Sequence, residues 1–241
     1  MKFDVFAYTN KGGRSYNQDH VSFRTIEQNG IFVVADGLGG HSFGELASEI
    51  VCNTMVEEWD GTFQPDQKGW LQEKIIESNR RILKEQEERN SVLKSTVVAL
   101  SVVGDKAVWA NVGDSRLYYV HEGEVQSYTN DHSVAYKKYK GGEITRQEIC
   151  TDPDQSALLR TVGSEDRCKP EIYAPETSIV PGDAFLLCSD GMWEFIRDGE
   201  IGIDLQRAVN AEAWAKHLLL RLMDRINEEN DNLSIMTVIV K

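Results

Sequence analysis

Residues 95–120, STVVALSVVGDKAVWANVGDSRLYYV, run three apolar stretches almost end to end, broken only at the glycine–aspartate pairs 104–105 and 113–114. A crossover between parallel strands takes a dozen residues or more, so breaks this short make neighbouring strands antiparallel. The meander argues against the regular βαβ alternation of a doubly wound sheet.

Further runs rich in Val, Ile and aromatics predict strands at Phe3–Tyr8, Ile31–Ala35, Ala184–Cys188 and Leu233–Val240, beside Thr96–Val103, Ala107–Val112 and Arg116–Val120 in the meander. Helical spacing of apolar residues predicts helices over Gly44–Trp59, Gln67–Arg89 and Ala211–Asn227, each with one apolar stripe. Two antiparallel sheets face to face, with helices outside, fit this order: an α+β fold of four layers, α/β/β/α. A chain of 241 residues with no linker or internal repeat is expected to form a single domain, 1–241. One stretch, 132–157, is polar and weakly periodic with a short helix expected at Thr145–Cys150; it reads as a surface excursion or as a binding flap.

Several apolar runs end on a carboxylate. VVADG ends at Asp36, AVWANVGDS at Asp114 and FLLCSDG at Asp190, while Asp231 stands just before the last strand. Asp-Gly is a common turn dipeptide, and that alone would explain any one of them. In antiparallel sheets, however, the end of one strand lies beside the start of its neighbour, so the four acids can share one edge. Clustered carboxylates take up protons or bind cations. Oxygen ligands without His or Cys favour Mg²⁺ or Mn²⁺, and two such ions form a common centre for phosphate-ester hydrolysis. Arg14, with Asp19 nearby, could hold the phosphate.

Acidic residues outnumber basic ones, 39 to 26, for a net charge of −13, which disfavours nucleic acid and anionic membrane as partners. No run approaches a membrane span or a signal-peptide core, so a cytoplasmic location is expected. The four cysteines, Cys52, Cys150, Cys168 and Cys188, have no ligand spacing and read as free thiols.

Eight motifs occur in one order: RSYNQD at 14–19, VVADGLGGH at 33–41, STVVAL at 95–100, NVGDSRLYYV at 111–120, DHS at 131–133, LLRTVGSE at 158–165, LLCSDGMWE at 186–194 and NDNLSIMTV at 230–238. Together they resemble the metal-dependent Ser/Thr protein phosphatases, the protein phosphatase 2C-like family, in its short bacterial form. The resemblance implies hydrolysis of phosphoserine and phosphothreonine in proteins by a hydroxide bridging two Mn²⁺ or Mg²⁺ ions, counteracting a cognate Ser/Thr kinase. By motif position Asp36 would bridge the metals, the Gly37 carbonyl would bind one, and Asp190 and Asp231 would hold the other. Asp19 would orient water and Arg14 would grip the phosphate. Asp114, Asp190 and Glu194 would form a third metal site, and 132–157 would be the flap. A monomer is the expected state.

Three positions depart from the family pattern. Leu38 follows the first Asp-Gly where many relatives have His; His41 is a substitute acid or, more simply, a turn residue. Glu194 stands where Asp is usual, and Lys94 where a small residue is usual. The alternatives are a catalytically silent phosphoprotein-binding module, which should have lost a metal carboxylate, and a structural Ca²⁺ site, for which no calcium-loop spacing is present.

Overall fold

The computed structural model describes residues 1–38, 43–61 and 66–241. In chain order its elements are β1 (Phe3–Asn10), β2 (Asp19–Ile26), β3 (Asn29–Leu38), α1 (Phe43–Val56), α2 (Gln67–Arg89), β4 (Lys94–Ser95), β5 (Val97–Val103), β6 (Lys106–Val112), β7 (Arg116–His121) and β8 (Glu124–Tyr128). There follow α3 (Val134–Lys140), a 3-10 helix (Arg146–Thr151), β9 (Glu171–Tyr173), β10 (Ala184–Cys188), α4 (Asp190–Trp193), α5 (Asp198–Arg207), α6 (Ala211–Met223) and β11 (Leu233–Val240).

Among the described residues the strands form two antiparallel sheets, ordered β1-β11-β10-β7-β8 and β2-β3-β5-β6-β9, with β4 paired to the end of β3. The meander is split between them: β5 and β6 pair in one sheet, and β7 pairs with β10 in the other. The turn at 113–115 therefore carries the chain across the sandwich.

The long apolar runs reflect burial on both faces of each sheet, as strands covered on both sides require. In β3, Ile31, Val33 and Ala35 pack under α1 and α2, while Phe32 and Val34 enter the layer between the sheets. In β10, Ala184, Leu186 and Cys188 face α6, and Phe185 and Leu187 face the other sheet. The expected four layers, helices outside two sheets, are thus present.

Capping sets the ends of the helices. Asp66 accepts from the Gly69 amide at 2.9 Å to start α2, and Asn90, at φ 49°, closes it. Helix α2 has the expected bounds. Helix α6 ends at Met223, about a turn short of the expected Asn227, because Asp224 caps it; Ile226 still packs on the same core. The stretch 132–157 is more ordered than a polar loop: Ser133 caps α3, accepting from the Tyr136 amide, and the short helix expected near 145 is a 3-10 turn. Among the described residues no helix is long and apolar enough to cross a membrane.

Candidate metal centre

Strand β3 runs past its apolar segment, so Asp36 and Gly37 lie within the strand and Asp36 stands directly opposite Asp19 of β2. The Asp36 backbone is clasped on its other side. Its amide donates to Thr96 Oγ1 at 3.0 Å, and its carbonyl accepts from the Thr96 amide at 2.8 Å and from Ser95 Oγ at 2.9 Å. This is the physical content of the Ser-Thr pair in STVVAL. At Gly37 a side chain is excluded: a Cβ would lie 2.0 Å from the Gly44 carbonyl oxygen, where α1 begins against the strand.

Asp190 follows β10 and opens α4, its Oδ1 accepting from the Gly191 amide at 2.7 Å. Gly191 lets this turn touch the approach to β11, since a Cβ there would meet the Asn232 carbonyl oxygen at 2.1 Å. Asp231 Oδ1 accepts from the Asn232 amide at 2.7 Å, and Oδ2 from Arg14 Nη2 at 2.8 Å. Asn232 in turn fixes the Arg14 loop: its Oδ1 accepts from the Gln18 amide, and its Nδ2 donates to the Lys11 and Tyr16 carbonyls. Ser189 Oγ donates to Asp19 Oδ2 at 2.7 Å and accepts from the Ser234 amide, tying the two sheets together at this edge.

The Asp114 carboxylate is buried, and its carbonyl accepts from Trp193 Nε1 at 2.9 Å. The Trp193 ring lies 3.5 Å from the guanidinium carbon of Arg116, which makes two hydrogen bonds to buried Asp131, at 2.8 and 2.6 Å. Just before Asp114, Gly113 holds φ +101° and exchanges hydrogen bonds with buried His132, giving its amide to Nδ1 and accepting from the His132 amide.

Asp19, Asp36, Asp114, Asp190, Glu194 and Asp231 lie near enough for each to feel the charge of others in the set. Burial, with the charge of Asp19 and then Asp190, Asp114 and Asp231, holds the Asp36 carboxyl well above its ordinary range. Burial raises Asp114 likewise, followed by the charges of Asp190, Asp131 and Glu194. Asp190 is pushed up to about 6 by burial and Asp231. Glu194 rises to about 8 through burial, Asp190 and Asp231. Burial pushes Asp19 up to about 7 against the Ser234 and Ser189 hydroxyls, which favour its anion.

All of the acids and the arginine singled out from sequence thus meet at one edge of the sandwich. His41 lies outside the described residues. The hydroxyls of Ser95, Thr96 and Ser189, and the Asn232 amide, hold the acids in place. These residues stand inside the sequence motifs, but nothing in their local spacing marks that work. In this side-chain arrangement protein donors hold Asp19 Oδ2, Asp190 Oδ1 and both oxygens of Asp231, and among the described residues no three acids close around a single point. The residues nevertheless suit hard cations: the donors are oxygens, several carboxyls are held above their ordinary range by burial and then by mutual repulsion, and Asp19 Oδ1 is buried with no hydrogen-bond partner.

Comparison with known proteins agrees with this geometry. The family model described as Protein phosphatase 2C matches residues 10–234. The serine/threonine phosphatase stp of Listeria innocua is 32% identical over 198 residues, covering 78% of this chain and 77% of that protein. The S. agalactiae serine/threonine phosphatase superposes with a TM-score of 0.88 at 25% identity, over 100% of both chains. The catalytic domain of the serine/threonine phosphatase PstP, solved with two manganese ions, gives 0.85 at 25% identity over 99% of each. With the match running from the end of β1 into β11 and so taking in every residue of the acidic edge, the chain belongs to the protein phosphatase 2C family.

Proposed function

We propose that the chain hydrolyses phosphoserine and phosphothreonine in proteins with two Mn²⁺ or Mg²⁺ ions held at the acidic edge. The observation that carries this reading is the convergence of five raised carboxyls with Asp231 and Arg14 on one edge of the sandwich. Asp36, the Gly37 carbonyl, Asp190 and Asp231 would hold the pair, and Asp114 with Glu194 and Asp190 would serve a third, weaker position. Bound there, the ions would supply a water of lowered pKa and offset charge on the phosphoryl oxygens.

The protein's own groups do the positioning. Arg14 is exposed, and only one of its nitrogens is given to Asp231, so the rest of its planar fork is available to two phosphate oxygens. Asp19, held through Oδ2 by Ser189, keeps Oδ1 free to accept from a water approaching the phosphorus. Leu38 offers no proton to the departing serine or threonine oxygen, so that proton comes from elsewhere in the site. The stretch 132–157 flanks this centre as the flap of a single phosphatase domain. A cytoplasmic monomer opposing a Ser/Thr kinase in signal transduction is the setting we propose.

A silent phosphoprotein-binding module is disfavoured because every expected metal carboxylate is retained. The test is phosphate release from a phosphothreonine peptide with Mn²⁺ and again with excess chelator. Release that requires the metal supports the proposal, and none in either condition overturns it.

A further inference from the structure

Beside the acidic edge lies a groove of about 780 Å³, within the range that holds ligands and peptide side chains. One wall is the 3-10 turn of 132–157, with Arg146, Gln147 and Cys150; the other is the segment from Trp193 to Asp198, with Arg225. Glu194 lines the groove and also feels Asp190 and Asp231, so groove and acidic edge share a residue.

The arginines of the groove are not equivalent. Arg116 is spent on buried Asp131. Arg146 pairs with Asp198 at 2.6 Å and lies over the Tyr128 ring at 3.8 Å. Arg225 pairs with Glu200 at 2.5 Å and donates to the Phe195 carbonyl. Arg197 is exposed, its backbone amide bonds Glu200, and among the described residues its guanidinium is in no ion pair. Among the described residues Arg197 is thus the one arginine of the groove without a carboxylate partner; the acids of the groove are Asp198, held by Arg146, and Glu194, which lies within reach of the charges of the acidic edge. The chain's net charge of −13 would otherwise repel acidic peptides.

Resting on the phosphatase reading above, we infer that this groove takes an acidic side chain flanking the phosphorylated residue of the substrate, with Arg197 as its partner. The groove is open, so the contact is a screened, exposed ion pair and acts as a preference among substrates rather than a requirement.

The experiment uses phosphothreonine peptides in which a single Glu, replaced in turn by Gln and by Lys, walks along the residues on either side of the phosphorylated one, assayed with Mn²⁺. At one position Glu should lower KM about two- to fivefold relative to Gln, the scale of an exposed ion pair. That advantage should disappear in Arg197→Gln and at high salt, return in part in Arg197→Lys, and turn into a preference for Lys in Arg197→Glu. Equal KM for all peptides, or a Glu preference that survives Arg197→Gln, overturns the assignment. So does loss of p-nitrophenyl phosphate turnover in Arg197→Gln, which would put the residue at the metal centre instead. Wild-type protein inactive on every substrate, p-nitrophenyl phosphate included, is the separate result that defeats the phosphatase reading and this inference with it.

Discussion

Two groups of buried charge lie a few residues apart and are handled in opposite ways. Asp131 is buried with Arg116, whose guanidinium makes two hydrogen bonds to it and stacks on Trp193. Burial works against the Arg116 charge, but Asp131 and its hydrogen bonds outweigh it and hold the guanidinium well above its usual range. Asp114 is just as enclosed, and Asp36 and Asp190 are half-buried, yet what surrounds them is chiefly one another. A buried ion pair that is complete is a structural part. A buried set of like charges is an incomplete one: it takes up protons or, on the function proposed above, a cation.

The contrast can be broken at either end. The largest effect is expected for Asp36→Asn, with turnover down by about 10³-fold, the scale of removing a central electrostatic element. In the metal-free chain the same change should leave the melting temperature unchanged or raise it, because one repelling charge has gone. Asp131→Asn should do the reverse, costing about 3 kcal/mol or more by leaving Arg116 buried and unpaired. Denaturant melts of both variants in chelator check the pair of expectations, and equal destabilisation would erase the distinction drawn between the two groups.

Solution pH sharpens the comparison further. Asp19, Asp190 and Glu194 have folded-state values of about 7, 6 and 8, against ordinary values near 4. The folded chain therefore binds protons that the unfolded chain has already lost, and its stability falls as pH rises from about 4 to about 8. Thermal melts in chelator should show this decline, and Mn²⁺ should restore most of the loss at the alkaline end. A metal-free chain that gains stability over this interval would contradict the raised carboxyls.

Arg14→Ala is expected to give the smallest change. Its pair with Asp231 is exposed on both sides, so stability should move by less than about 1 kcal/mol. On a phosphopeptide KM should rise about tenfold with kcat little altered, as for lost ground-state phosphate binding. Steady-state kinetics separate the two, and a fall in kcat alone would contradict the role given to Arg14.

Most of this edge was legible in the sequence for a physical reason. Strands β3, β5, β10 and β11 are buried on both faces, so their runs are uninterrupted and a carboxylate at the end stands out. Strand β2, DHVSFRTI, does not stand out in the sequence because it is a half-exposed edge strand of mixed composition, yet it sets Asp19 opposite Asp36. Helix α5 carries no clear periodicity because Gly199 and Gly202 weaken its pattern; Gly202 is there for a close approach to the Gly123 carbonyl. The roles of Asp19 and Glu194 come from the family resemblance alone, since nothing in local spacing marks them, while Arg14 stands out only as an arginine available to a phosphate. The clasp of Ser95 and Thr96 on Asp36, and of Ser189 on Asp19, joins residues far apart in the chain, and pairings of that kind are set by the register of the folded sheets.

On the proposed function, the acidic edge becomes complete only with divalent cations. The most direct measurement is calorimetric titration of Mn²⁺ into the chelator-stripped chain and into Asp36→Asn, with turnover of a phosphothreonine peptide followed in the same samples. The expected result is binding of two or more ions that brings turnover with it in the wild type, and weakened binding without turnover in the variant. Turnover by the stripped wild type, or undiminished Mn²⁺ binding and turnover in Asp36→Asn, would contradict it.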